Sequence, residues 1–122
     1  MREDIQSLLE ELTDIETSTE VPDDVLEDNK TYFSFSLNEN LIESDFENNY
    51  TNEVNITGYV KRLVNKAENT LEIVDTATKD IISKLKELNI RCSYQDISIQ
   101  NGVQKTRITG RGTYNEINNV LM

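Results

Sequence analysis

Apolar positions along this chain change their period from segment to segment, and each period predicts an element. Between Asn65 and Asn89, Ala67, Leu71, Val74, Thr78, Ile81, Leu85 and Leu88 recur at steps of four and three, so they share one face of a helix. Ala77 and Ile82 widen that face, which suits packing on a sheet better than pairing in a coiled coil. Asn65 is the expected cap, with Glu68 three residues on as in a capping box, and Asn89 suits the left-handed end. Glu68 and Glu72 lie near the positive end of the dipole, Lys84 and Lys86 near the negative end. Asp75 with Lys79 and Asp80 with Lys84 are expected ion pairs on the wet side. At 1.5 Å per residue the predicted rod is about 36 Å long.

The remaining elements are shorter. Ile5, Leu8, Leu9, Leu12 and Ile15 form an apolar stripe that predicts a helix over 2–16. Residues 17–29 are acidic and read as a loop, with Pro22 able to open one helical turn through Leu26. Residues 31–37 alternate, with Phe33, Phe35 and Leu37 on one side of a half-buried strand. Residues 38–50 read as a long connection, partly strand, in which Leu41, Ile42 and Phe46 either contact a partner or tuck under the loop. A strand over 52–64 places Val54, Ile56 and Val60 on one face and Tyr59 and Leu63 on the other, and Gly58 suggests a bulge or a close approach of another backbone. Residues 90–114 form a hairpin about Asn101-Gly102, pairing Gln100 with Val103 and Asp96 with Arg107. Ile90, Cys92 and Tyr94 have the opposite parity to Ile97 and Ile99. Either the strand bulges near Gln95 or this part buries both faces. Gly110 and Gly112 suggest a bend, and Ile117, Val120 and Leu121 a docked tail. The expected fold class is α+β, in two layers. A mainly antiparallel sheet of about four strands packs against one long helix, with a shorter N-terminal helix, in a single domain over 1–122.

Charge changes this picture from a fold to a surface. Residues 1–60 hold 16 acids against 2 bases, net −14, and residues 61–122 hold 7 acids against 10 bases, net +3, summing to −11. Such a balance disfavours non-specific nucleic-acid binding, which needs clustered bases. It leaves two readings: acidic loops that keep the protein soluble, or a front and back of opposite sign that meet between copies. Lys105, Arg107 and Arg111 fall on one face of the return strand. That face is either simply solvated or a surface for the acids of another copy, Asp23, Asp24 and Glu27 among them.

Candidate chemistry is sparse. The chain has no histidine, and Cys92 is its one cysteine, so neither a metal knuckle nor a redox pair is expected. The 17–29 acids lack the spacing and glycine of a calcium loop. No phosphate-binding loop occurs, and no carboxylate pair stands out. We therefore expect no enzyme, no catalytic residue, no cofactor and no metal. No apolar run is long enough for a membrane span and no signal peptide is expected, which places synthesis in a reducing cytoplasm.

In order, a short helix, a strand hairpin, a strand carrying Gly58-Tyr59-Val60-Lys61, a long helix and a closing hairpin resemble the tail terminator proteins of long-tailed bacteriophages, also called tail completion or tail-to-head joining proteins. The resemblance covers most of the chain and rests on element order and length. It implies a virion protein forming a hexameric ring that caps the tail tube and meets the head connector, with DNA passing through the lumen without specific binding. The expected partners are further copies, the tail tube protein and the head–tail connector protein. In that setting Lys105, Arg107 and Arg111 would meet acids of residues 17–29 or 38–53 of the next copy. Two other readings stand beside it: a small acidic DNA-mimic inhibitor of a nucleic-acid enzyme, and another phage neck or baseplate component.

Overall fold

A computed structural model describes residues 2–18, 25–43, 50–115 and 120–121. In chain order the elements are α1 (Arg2–Leu9), β1 (Ile15–Ser18), β2 (Thr31–Glu43), β3 (Tyr50–Leu63), α2 (Thr70–Glu87), β4 (Arg91–Gln100), β5 (Val103–Asn115) and β6 (Val120–Leu121). The strands form one sheet in the order β1-β2-β3-β5-β4, with β6 also paired to β5. Only β1 on β2 is parallel among these neighbours. β3 and β4 run the same way with β5 between them, and α2 is the crossover that joins them.

The α+β class and the mainly antiparallel sheet agree with the pattern in the sequence, but the sheet has six strands and not four. The extra two are short. β1 was expected to be the end of a helix over 2–16; α1 stops at Leu9, and Ile15 enters the sheet beside Thr31. Leu12 still packs on the core from the turn between them. β2 and β3 are longer than expected, so the connection over 38–50 contracts to residues 44–49. Leu41 and Ile42 are ladder residues of β2, opposite Asn52 and Thr51. Their side chains, and Phe46, lie outside the described residues, as do Pro22, Asp23 and Asp24.

One face of the sheet carries the core. Phe33 and Phe35 stack at 5.4 Å and meet Val60, Ile56 and Ile108. Val74, Ala77, Ile81 and Leu85 of α2 close over them, with Ile5 and Leu9 of α1 alongside. Gly58 is where β3 has no room for a side chain. A Cβ there would lie 2.5 Å from the Phe33 ring and 2.8 Å from the Ser34 carbonyl. The backbone expected near Gly58 is the Ser34 carbonyl, but the Phe33 ring lies closer still. Gly110 serves the same end against Cys92 and Ile56, and β5 keeps its pairing through Gly110 and Gly112 without breaking.

α2 is shorter than its sequence pattern, 18 residues or about 27 Å. Its cap is Asn69, whose side chain accepts from the Glu72 amide at 3.2 Å. Asn65 instead turns the preceding loop by accepting from the Ala67 amide. Glu68 is turned toward Arg62, so the expected box at Asn65 does not form, and the cap lies four residues later at Asn69, whose side-chain amide also donates to Glu72 Oε2 at 3.2 Å. Ala67 and Leu71 consequently fall outside the buried stripe, and Leu71 is 56% exposed. Asp75 and Lys79 pair at 2.9 Å as expected. Asp80 and Lys84 do not, because Lys84 reaches Glu11 at 2.6 Å beside α1 and Glu87 at 3.6 Å. Asn89 takes the left-handed conformation, φ 59°.

The β4–β5 turn at Asn101-Gly102 has positive φ at both positions, 53° and 74°, as its two-residue geometry demands. Gln100 pairs with Val103 and Ser98 with Lys105, and then a bulge at Ile97 shifts the register. Past it, Asp96 stands opposite Thr106 and accepts its hydroxyl at 3.1 Å, and Gln95 stands opposite Arg107. The expected Asp96–Arg107 ion pair is therefore not formed. The same one-residue shift brings Tyr94 and Cys92 onto the helix-covered face with Ile108.

Candidate functional site

Both helices pack on one side of the sheet, so among the described residues its other side is uncovered over most of its width. Alternation then decides what that side displays. Rows run across the strands. Asn55, Arg111 and Arg91 form one; Thr57, Thr109 and Ser93 the next. Tyr59, Arg107 and Gln95 form the third, and Lys61 and Lys105 the fourth. A small apolar patch of Leu26, Tyr32, Val103 and Leu63 closes the end near the Asn101-Gly102 turn.

This face is basic in an acidic chain. Among the described residues of β2 to β5 it carries Lys61, Arg91, Lys105, Arg107 and Arg111 against one carboxylate, Glu53. Lys105, Arg107 and Arg111 share it as their spacing predicts. Lys61 and Arg91 join them from the flanking strands, which the reading of one strand alone had missed. The parity of Ile90, Cys92 and Tyr94 was the signal for Arg91, since the residue between two inward positions faces outward.

Two of the cross-strand pairs are of like charge: Lys61 opposite Lys105, and Arg111 opposite Arg91. Directly opposed like charges destabilise a sheet, where a favourable pair contributes roughly 0.2–1 kcal/mol. Some cations are locally engaged. Arg107 Nη2 donates to Gln95 Oε1 at 3.0 Å, and Lys61 lies 5.8 Å from the Tyr59 ring centre. Arg111 Nε meets Glu53 Oε1 at 2.8 Å, and Asn55 also donates to Glu53. Those hydrogen bonds, first from Arg111 and then from Asn55, hold the Glu53 carboxyl below its usual range. Arg91 is exposed and takes part in no ion pair among the described residues. A hollow of about 480 Å³ lies beside it, lined by Asn55, Cys92, Ser93, Thr109, Gly110 and Arg111.

The helix side has the opposite sign. Residues 3–14 hold five acids and no base, and α2 holds four acids against three bases, net −6 together. Glu27, expected at a subunit contact, is exposed and pairs with Lys30 at 3.3 Å. Glu16 shares the same lysine at 3.2 Å. Among the described residues no group of acids, cysteine or histidine is arranged to hold a metal. No described helix is long and apolar enough to cross a membrane.

The site is thus an open, cationic, hydroxyl-bearing sheet face. No protein-family model matches the chain, and no curated protein matches it at a significant level.

Proposed function

We propose that this chain is a structural subunit that assembles with copies of itself into a closed ring, as its resemblance to phage tail terminators implies. One observation carries the reading: the uncovered sheet face concentrates Lys61, Arg91, Lys105, Arg107 and Arg111 in a chain whose net charge is −11. A surface of opposite sign to the rest of the molecule is complementary to another copy. Six copies at −11 would otherwise repel one another.

In this reading the ring caps a finished tail tube and presents its other side to the head connector. With the basic face taken up in subunit contacts, the remaining surface is acidic. An acidic lumen repels phosphate, so DNA passes through without specific binding.

Negative-stain imaging of the purified protein, alone and with tail tubes, tests the reading. Annular particles, and rings seated on tube ends, are the expected result. Single particles under every condition, with tube ends left bare, would contradict it.

A further inference from the structure

Among the described residues, charged side chains that take part in no ion pair stand on both sides of the sheet. On the open face the clearest is Arg91, held directly opposite Arg111 across the β4–β5 ladder. Cβ atoms at such positions stand roughly 4.5–5.5 Å apart, and both residues line one hollow, where Arg111 is also held by Glu53 at 2.8 Å. In the next row Ser93 and Thr109 are likewise opposed, their hydroxyls 3.4 Å apart. One of those two hydrogens remains to be donated elsewhere. Two guanidiniums and a hydroxyl pair beside one hollow suit a carboxylate, the group guanidinium forks fit best among protein side chains.

On the helix side a second hollow, of about 630 Å³, lies between α2 and the start of β2. Asp14 and Asp80 line it, and neither takes part in an ion pair among the described residues. The cations beside them are held elsewhere: Arg62 by Glu68, Lys30 by Glu16 and Glu27. Lys84, the expected partner of Asp80, is drawn away by Glu11.

We propose that Arg91, with Arg111, docks on the Asp14–Asp80 hollow of a second copy of this chain. This rests on the self-assembly proposed above and names its contact. The two surfaces lie on opposite sides of the sheet, so the contact is heterologous, the kind that closes into rings when its rotation allows.

A charge swap tests it, because every copy carries both surfaces. The variants are Arg91→Asp, Asp80→Arg, the double exchange, and Arg107→Glu as a second site on the same face, each read by sedimentation with circular dichroism to confirm folding. Arg91→Asp and Asp80→Arg should each weaken association at least tenfold, and the double exchange should restore most of it. Association unchanged by Arg91→Asp but weakened by Arg107→Glu overturns this contact and leaves self-assembly standing. Loss with Arg91→Asp but not with Asp80→Arg overturns the proposed acceptor. A wild-type chain that never associates removes the assembly itself.

Discussion

Arg62 grips Glu68 with both ends of its guanidinium: Nε meets Oε1 at 2.9 Å and Nη2 meets Oε2 at 3.0 Å. Its remaining nitrogen, Nη1, donates to Thr31 Oγ1 at 2.9 Å. The pair ties the end of β3 to the entry of α2 and to the first residue of β2. The Arg62 hydrogen bonds hold the Glu68 carboxyl below its usual range. A carboxyl depressed in the folded state adds stability above its unfolded value, about 4.3, and that stability is lost as pH falls through the folded value. Glu68→Gln should therefore lower the melting temperature at pH 7. The gap to wild type should close as the pH falls below the unfolded value and on through the depressed folded value of Glu68. Thermal melts across pH 2–7 check this; a gap that stays constant with pH would contradict it.

Gly58 leaves room for the Phe33 ring. Gly58→Ala should cost about 1–3 kcal/mol, the usual range for overpacking a core. Phe33→Leu in the same chain should recover only part of the loss, because the Ser34 carbonyl also obstructs the new Cβ. Urea denaturation of the two variants measures both effects.

The helix entry separates two asparagines that look alike in the sequence. Asn69→Ala removes the cap bond to the Glu72 amide and should cost about 1 kcal/mol. Asn65→Ala removes a turn bond outside the helix and should cost less. Equal losses in urea would mean that the helix begins earlier than Thr70.

Cys92 packs against the core, and burial pushes its thiol up to about 11 from 9.0. A rise of two units leaves about a hundredth of the usual thiolate near neutral pH. An aromatic disulfide reagent should therefore modify the folded protein about 100-fold more slowly than the urea-unfolded chain. Similar rates would show that the side chain is open to solvent.

The helix face of Val74, Ala77, Thr78, Ile81 and Leu85 was plain in the sequence because its period repeats over about three turns. So were the Asn101-Gly102 turn and the alternation of Phe33, Phe35 and Leu37. The helix start was not, since Asn65-x-x-Glu68 and Asn69-x-x-Glu72 offer the same cap twice. Arg62, brought close only by the fold, takes Glu68 out of the contest. β1 was hidden because four residues carry too little pattern, and parallel pairing with β2 is a tertiary event. The bulge at Ile97 moved Asp96 from Arg107 to Thr106. That shift also hid Arg91 from the basic face. The face could be read as a row on one strand, but its width across β3, β5 and β4 needed the register.

The most direct test of the account is the mass of the protein in solution. Sedimentation should be followed over rising protein concentration at low and high salt, for wild type and for Arg107→Glu with Arg111→Glu. The account predicts a closed oligomer for wild type that high salt loosens, and a folded monomer for the charge-reversed chain. A wild-type chain that sediments as a monomer at every concentration and salt, or a charge-reversed chain with unchanged mass, would contradict it.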